Sequence, residues 1–194
     1  MKSISSLVLT TSIAASGLLS SATGQNTQTS DVTTAGVGRS APPLSSLDAS
    51  YHRRTLSDFR GRRAVLLTFF PKCFTGNCAS QLTSLRDSYP AFQKAGVEVW
   101  AVSTDPADGP QGQRAFSKHL KLPFPLLPDT NRKISLAYGA VQSKEQMAAR
   151  MSVLIDKEGK VRWIDKQISP RTHGPDVLAK MEELGMLPAP VAKQ

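Results

Sequence analysis

The chain has 194 residues, 40% hydrophobic, 20% charged and 6% aromatic, which suits one globular domain with short tails and argues against a multidomain reading. Twenty-four Lys and Arg against 15 Asp and Glu give a formal net charge of +9, so acidic partners have to be weighed. Two cysteines, Cys73 and Cys78, are too few for a disulfide scaffold or a four-ligand zinc site.

Residues 1–24 carry Lys2 as their only charge, an apolar run from Leu7 to Leu19, and small residues ending in Ala22-Thr23-Gly24. This pattern resembles an export signal cut near Gly24, and its apolar run falls short of the ~20 residues of a membrane span. The expectation is an exported chain, periplasmic or secreted, without stable membrane insertion. Residues 25–43 are Thr, Ser, Gly and Ala with almost no large apolar side chain, which predicts a disordered linker. The folded unit is expected over 44–186, followed by a flexible Pro/Ala tail at 187–194.

Ala64 to Phe70 (AVLLTFF) is an apolar run broken only by Thr68, as in a strand buried on both faces of a partly parallel sheet. Cys78, Leu82, Leu85, Tyr89 and Phe92 then recur at helical spacing up to Gly96, with Pro90 expected to kink the helix. Val97 to Ser103 reads as a second strand, completing a right-handed crossover. Helical patterns follow at Gln113–Leu120 and Asn131–Tyr138, with a short strand at Phe124–Leu127 between them. Met151–Asp156 and Lys160–Asp165 flank Lys157-Glu158-Gly159 as a hairpin. A last helix starts near Pro175, buries Val177, Leu178, Met181 and Leu184, and stops at Gly185. This order predicts an α/β, thioredoxin-like fold with a central mixed sheet flanked by helices.

The segment Pro71 to Cys78 (PKCFTGNC) joins the central strand to the long helix, placing Cys78 in the first helical turn. Open α/β sheets bind ligands at this end of their strands, and the unpaired amides and helix dipole there should favour a Cys78 thiolate. The competing reading is a buried core cysteine on the apolar stripe of its helix.

Pro71, Thr75 and Cys78 reproduce the P-x-x-x-T-x-x-C pattern of peroxiredoxins, and AFSKHLKLPFPLLPDTNRKISLAYGA and RMSVLIDKEGKV are also similar to that family. The resemblance, to the AhpC/TSA superfamily and within it most to the bacterioferritin-comigratory or Q-type branch, spans about residues 41–185. It implies a thiol-dependent peroxidase that reduces hydrogen peroxide or small organic hydroperoxides through a cysteine sulfenic acid. Cys78 would be the peroxidatic thiol, Thr75 would hydrogen-bond the peroxide, Pro71 would shield the thiol, and Arg150 would stabilise the thiolate and polarise the oxygen bond. An external thiol or thioredoxin-like protein would return the electrons, with no metal, haem or flavin. The sequence departs from the branch at Thr83, where a resolving cysteine often stands five residues after the peroxidatic one, and at Ala79, where the branch often has threonine, while Gln81 keeps the glutamate or glutamine often found there. Cys73, at no family position, is the only other thiol that could resolve the sulfenic acid internally.

Elementary kinetics shows why these partners are needed. Lowering a thiol pKa from ~8.5 to about 6 raises its thiolate fraction some thirty-fold at neutral pH, but a Brønsted slope near 0.45 makes it roughly ten-fold less nucleophilic. The rest of the acceleration has to come from aligning the peroxide and stabilising the leaving oxygen.

Two other readings stay open on the residues alone. A copper-carrying thioredoxin-fold module would use both thiols, and an exported thiol-disulfide oxidoreductase would use a C-x-x-C pair, which here is two residues too long. His52, His119 and His173 are scattered and expected at the surface or at helix ends, and Trp100 and Trp163 are expected to pack on the sheet. Arg53, Arg54, Arg60, Arg62 and Arg63 suggest a solvated face, and without a nucleic-acid motif no nucleic-acid partner is expected.

Overall fold

The computed structural model describes residues 34–187. The export signal, residues 25–33 of the expected linker and residues 188–194 of the expected tail lie outside the described residues. In chain order the elements are β1 (Ser45–Leu47), β2 (Arg53–Thr55), a 3-10 turn at Leu56–Phe59, β3 (Ala64–Phe69), α1 (Gly76–Lys94), β4 (Val97–Ser103) and α2 (Gln113–Leu120). They continue with β5 (Leu126–Pro128), α3 (Lys133–Tyr138), β6 (Met151–Ile155), β7 (Val161–Asp165) and α4 (His173–Glu183).

The main sheet has the order β5-β4-β3-β6-β7, with β1 and β2 as a separate antiparallel pair. β3 pairs in parallel with β4, and β4 with β5, whereas β6 runs antiparallel to both β3 and β7. The sheet is therefore mixed and covered on both faces. Alternation along β3 divides the core: Leu66, with Phe70 just beyond the strand, joins Leu82, Leu85 and Phe92 of α1, Phe116 of α2 and Val177 and Met181 of α4. Val65, Leu67 and Phe69 join Trp100, Tyr138, Met151 and Val153 on the opposite face. Each such buried apolar side chain contributes about 1.5–3 kcal/mol, which explains why the AVLLTFF run becomes the central strand.

The elements differ from the sequence expectation at several ends. α4 begins at His173, capped by Thr172, and buries Val177 and Met181, while Leu178 and Leu184 are only partly covered. β5 lies at Leu126–Pro128 because its register is set by β4, which pairs Ala101 with Leu126. Leu187, assigned to the flexible tail, packs at the edge of the first core cluster.

The larger correction concerns the linker. Residues 38–41 of its described part pair with the start of β7 and the turn before it: Gly38 N–H donates to Val161 O at 2.8 Å, Val161 N–H to Arg39 O at 2.9 Å, and Ala41 N–H to Gly159 O at 2.9 Å. The Tyr138 hydroxyl also donates to Pro42 O at 2.7 Å. Composition argued for disorder because the stretch has little to bury, but main-chain pairing with an open strand edge needs no large side chain.

Candidate active site

Sheet register brings the site together. The antiparallel β3–β6 ladder places Thr68 opposite Ser152 and Phe69 opposite Met151. Arg150, one residue before β6, is therefore carried to the end of β3, where the chain leaves the sheet through Phe70–Thr75 and enters α1. Both parallel strands, β3 and β4, end on this side.

Thr75 is the N-cap residue of α1, with extended φ −100° and ψ 145°, and its carbonyl accepts the first helical bond from Ala79 N–H at 2.9 Å. The first-turn amides of Gly76, Asn77 and Cys78 have no partner within the helix, and donors so placed favour an anion. Cys78 is 1% exposed. Arg150 Nη2 donates to its sulfur at 3.5 Å, while Nη1 donates to Gln81 Oε1 and, at 3.4 Å, to Asn77 O. Gln81 is three residues beyond Cys78, hence one turn along the same helix face, and both hold the same guanidinium.

The sequence-predicted residues are placed unevenly around this centre. Cys78 and Arg150 are in contact. Pro71 is half-buried on the rim of an open depression of about 620 Å³, which Val141, Met147, Ala148 and Ala149 also line. Thr75 is exposed, and its hydroxyl donates to Lys72 O at 3.0 Å, leaving its oxygen lone pairs free to accept a hydroperoxide proton.

Cys73 lies at the other end of the loop and is 3% exposed. Its amide donates to Asp105 Oδ2 at 2.7 Å, and the Ser103 hydroxyl donates to the same oxygen at 3.0 Å. Burial pushes the Cys73 thiol up, and the Asp105 carboxylate adds to the effect by its charge and by hydrogen bonding. Between the thiols, Phe74 adopts a left-handed φ of 57° and rests its ring on Phe116 and His119, with centroids 4.9 and 5.7 Å away.

Three participants escaped the sequence reading: Asp105, Ser152 and His173. His173 stands at a helix end, the start of α4, as one of its two expected placements had it, but it is fully buried. Gln81 was visible as a residue the branch often carries three positions after Cys78, but it was given no role in the site. In the arginine-rich stretch, Arg54 pairs with Asp48 at 2.9 Å and Arg63 with Glu98 at 3.3 Å. Among the described residues no three His, Cys, Asp or Glu side chains gather as a metal site, so the copper-module reading gains no third ligand there.

Comparison with known proteins decides the family. The sequence profile described as the AhpC/TSA family matches residues 37–164. The chain belongs to this peroxiredoxin family. It is 33% identical over 149 residues to peroxiredoxin Q of Populus jackii, a chloroplastic protein, with 76% of this chain and 68% of that one covered. Alkyl hydroperoxide reductase E of Mycobacterium bovis is 33% identical over 131 residues, covering 66% of this chain and 84% of the relative.

Solved peroxiredoxins share the fold. Peroxidoxin BcpB of Mycobacterium tuberculosis superposes with a TM-score of 0.69 at 22% identity, covering 77% of this chain and 98% of that structure. Peroxiredoxin Q of Xanthomonas campestris gives 0.66 at 23%, covering 72% and 90%. As a peroxiredoxin, the chain is a thiol-dependent peroxidase, and the disulfide-oxidoreductase and copper-module readings are not favoured. Among the described residues no helix is long and apolar enough to cross a membrane.

Proposed function

We propose that Cys78 is the thiol that meets the peroxide, with hydrogen peroxide or a small organic hydroperoxide as substrate. The Cys78 thiolate attacks the terminal peroxide oxygen, the O–O bond breaks, and the departing oxygen takes a proton to leave as water or alcohol, so that sulfur becomes sulfenic acid. The observation that carries this reading is the Arg150 guanidinium, which touches Cys78 Sγ while Gln81 and Asn77 hold its other nitrogen. A cation fixed there stabilises charge on sulfur and on the leaving oxygen without reorganising during the reaction. The first-turn amides of α1 and the Thr75 oxygen orient the peroxide, and Pro71 limits water beside the sulfur. The open depression next to Pro71 and the name of the mycobacterial relative support an organic hydroperoxide as well as hydrogen peroxide.

An external thiol, free or on a thioredoxin-like protein, completes the cycle. One thiol condenses with sulfenic Cys78 to a mixed disulfide and water, and a second thiol releases Cys78. The protonated, buried state of Cys73 and the anchoring of its amide by Asp105 support this route over internal resolution. An internal bridge would require Cα atoms about 4.4–6.8 Å apart and release of this loop. Treatment with one equivalent of peroxide followed by non-reducing digestion should show one oxygen gained on Cys78 and free Cys73. A linked Cys73–Cys78 peptide would return the resolving role to Cys73, and an unmodified Cys78 would overturn the assignment. The N-terminal pattern supports export to the periplasm or medium, which N-terminal sequencing of the mature chain tests by looking for a start near Gln25.

A further inference from the structure

A chain of buried polar groups leaves the active site through the sheet and ends at a histidine that the chemistry above does not use. Gln81, whose oxygen accepts from Arg150, donates through Nε2 to Thr68 Oγ1 at 2.9 Å and to Phe69 O at 3.3 Å. The Ser152 hydroxyl also donates to Thr68 Oγ1, at 2.7 Å, and Ser152 Oγ lies 2.9 Å from His173 Nε2. Thr68, Gln81, Ser152 and His173 are all 0% exposed. With the Ser152 proton directed to Thr68, the contact to His173 requires the ring to donate, which places its proton on Nε2. Nδ1 has no partner.

Two features hold the imidazole in this role. Burial brings its pKa down to about 4, with the Asp176 carboxylate opposing and the Arg150 guanidinium reinforcing, so the ring is neutral at physiological pH. The start of α4 is pinned to α1 by the bond from Gly174 N–H to Ser84 Oγ at 2.9 Å. A Cβ at Gly174 would collide with the Ser84 carbonyl and the Ser88 hydroxyl, so glycine is what allows this approach.

We infer that His173 is a positioning residue for peroxide reduction: through Ser152 and Thr68 it fixes the Gln81 carboxamide that aims Arg150 at the Cys78 sulfur. The inference rests on the Cys78–Arg150 reading and adds a remote determinant to it. Along this buried path a lost donor leaves an unsatisfied partner that has to find a new geometry. Loosened in this way, Gln81 no longer confines the guanidinium, and small displacements of a charge-stabilising group are costly in rate.

The test measures the second-order rate constant with hydrogen peroxide for His173→Leu and His173→Gln, each also in an Arg150→Met background. His173→Leu should slow the reaction about ten-fold, the rate equivalent of roughly one hydrogen bond. His173→Gln, whose amide N–H can reach Ser152, should restore most of the rate. In the Arg150→Met background His173→Leu should cost nothing further, which a general packing defect would not reproduce. Should His173→Leu fail to fold, Thr68→Val breaks the next link at nearly constant volume and should give the same loss and the same non-additivity. A wild-type rate in folded His173→Leu, or a full additional loss on top of Arg150→Met, overturns the inference. Cys78→Ser in the same assay separates the two levels, since retained turnover there would remove the underlying reading itself.

Discussion

The two thiols of this chain stand five residues apart in one apolar cluster, both almost fully buried, yet they face opposite charges. Cys78 sits in the first turn of a helix with a guanidinium on its sulfur. Cys73 sits in the preceding loop against a carboxylate that also holds its own amide. Burial is common to both, so it cannot tell them apart. The sign of the neighbouring charge does. Arg150 arrives from the start of β6 and Asp105 from just beyond β4, so the strand order β4-β3-β6 sets a cation beside one thiol and a carboxylate beside the other.

The comparison can be broken most severely at Cys78. Cys78→Ser should abolish peroxide consumption, because a serine hydroxyl ionises far above physiological pH, and turnover at the wild-type rate would show that the two thiols had been assigned the wrong way round. Replacing the cation is the next largest change. Arg150→Met should lower the second-order rate about a hundred-fold, comparable to the loss of one oxyanion donor, and an unchanged rate would leave Arg150 a solvated strand-end residue.

On the Cys78 side the polar chain ends in neutral His173, which makes the fold acid-sensitive. The unfolded chain takes up this proton near the ordinary histidine value of 6.5, the native state only near 4. Stability from keeping the ring neutral is therefore complete above pH 6.5 and is lost progressively as pH falls toward 4. Denaturant midpoints should show a loss of about 2 kcal/mol between pH 7 and 5 that His173→Gln lacks, and parallel curves for the two proteins would refute it. The smallest effect sharpens the Cys73 side. Asp105→Asn removes the negative charge while keeping an acceptor for the Cys73 amide, and should speed Cys73 alkylation roughly ten-fold at pH 8 with little change in peroxide rate.

Much of this arrangement is legible in the sequence because it is local. The AVLLTFF run, the apolar stripe from Cys78 to Phe92 and the PKCFTGNC junction lie within thirty residues of one another, and together they place Cys78 at a helix start beyond a buried strand. Arg150 was found through a family resemblance; spacing alone would have left it a strand-end arginine. His173 and Ser152 were not legible, since their meaning depends on a ladder pairing residues 84 positions apart and on the docking of α4 against α1. Asp105 was hidden for the same reason: nothing in its own neighbourhood says that it will meet the Cys73 amide. The residues at 34–43 misled because composition measures what side chains can bury and is blind to what a backbone can pair with.

That paired stretch bears on how copies of this protein can meet. Residues 38–41 pair with the start of β7 through Val161, and at the far side of the sheet Ala49 N–H donates to Leu126 O of β5 at 2.8 Å. Each border is thus occupied at one strand residue, which shortens the run of backbone that another strand could join. Trimming the chain past Arg39 would uncover Val161 and lengthen the bare border of β7.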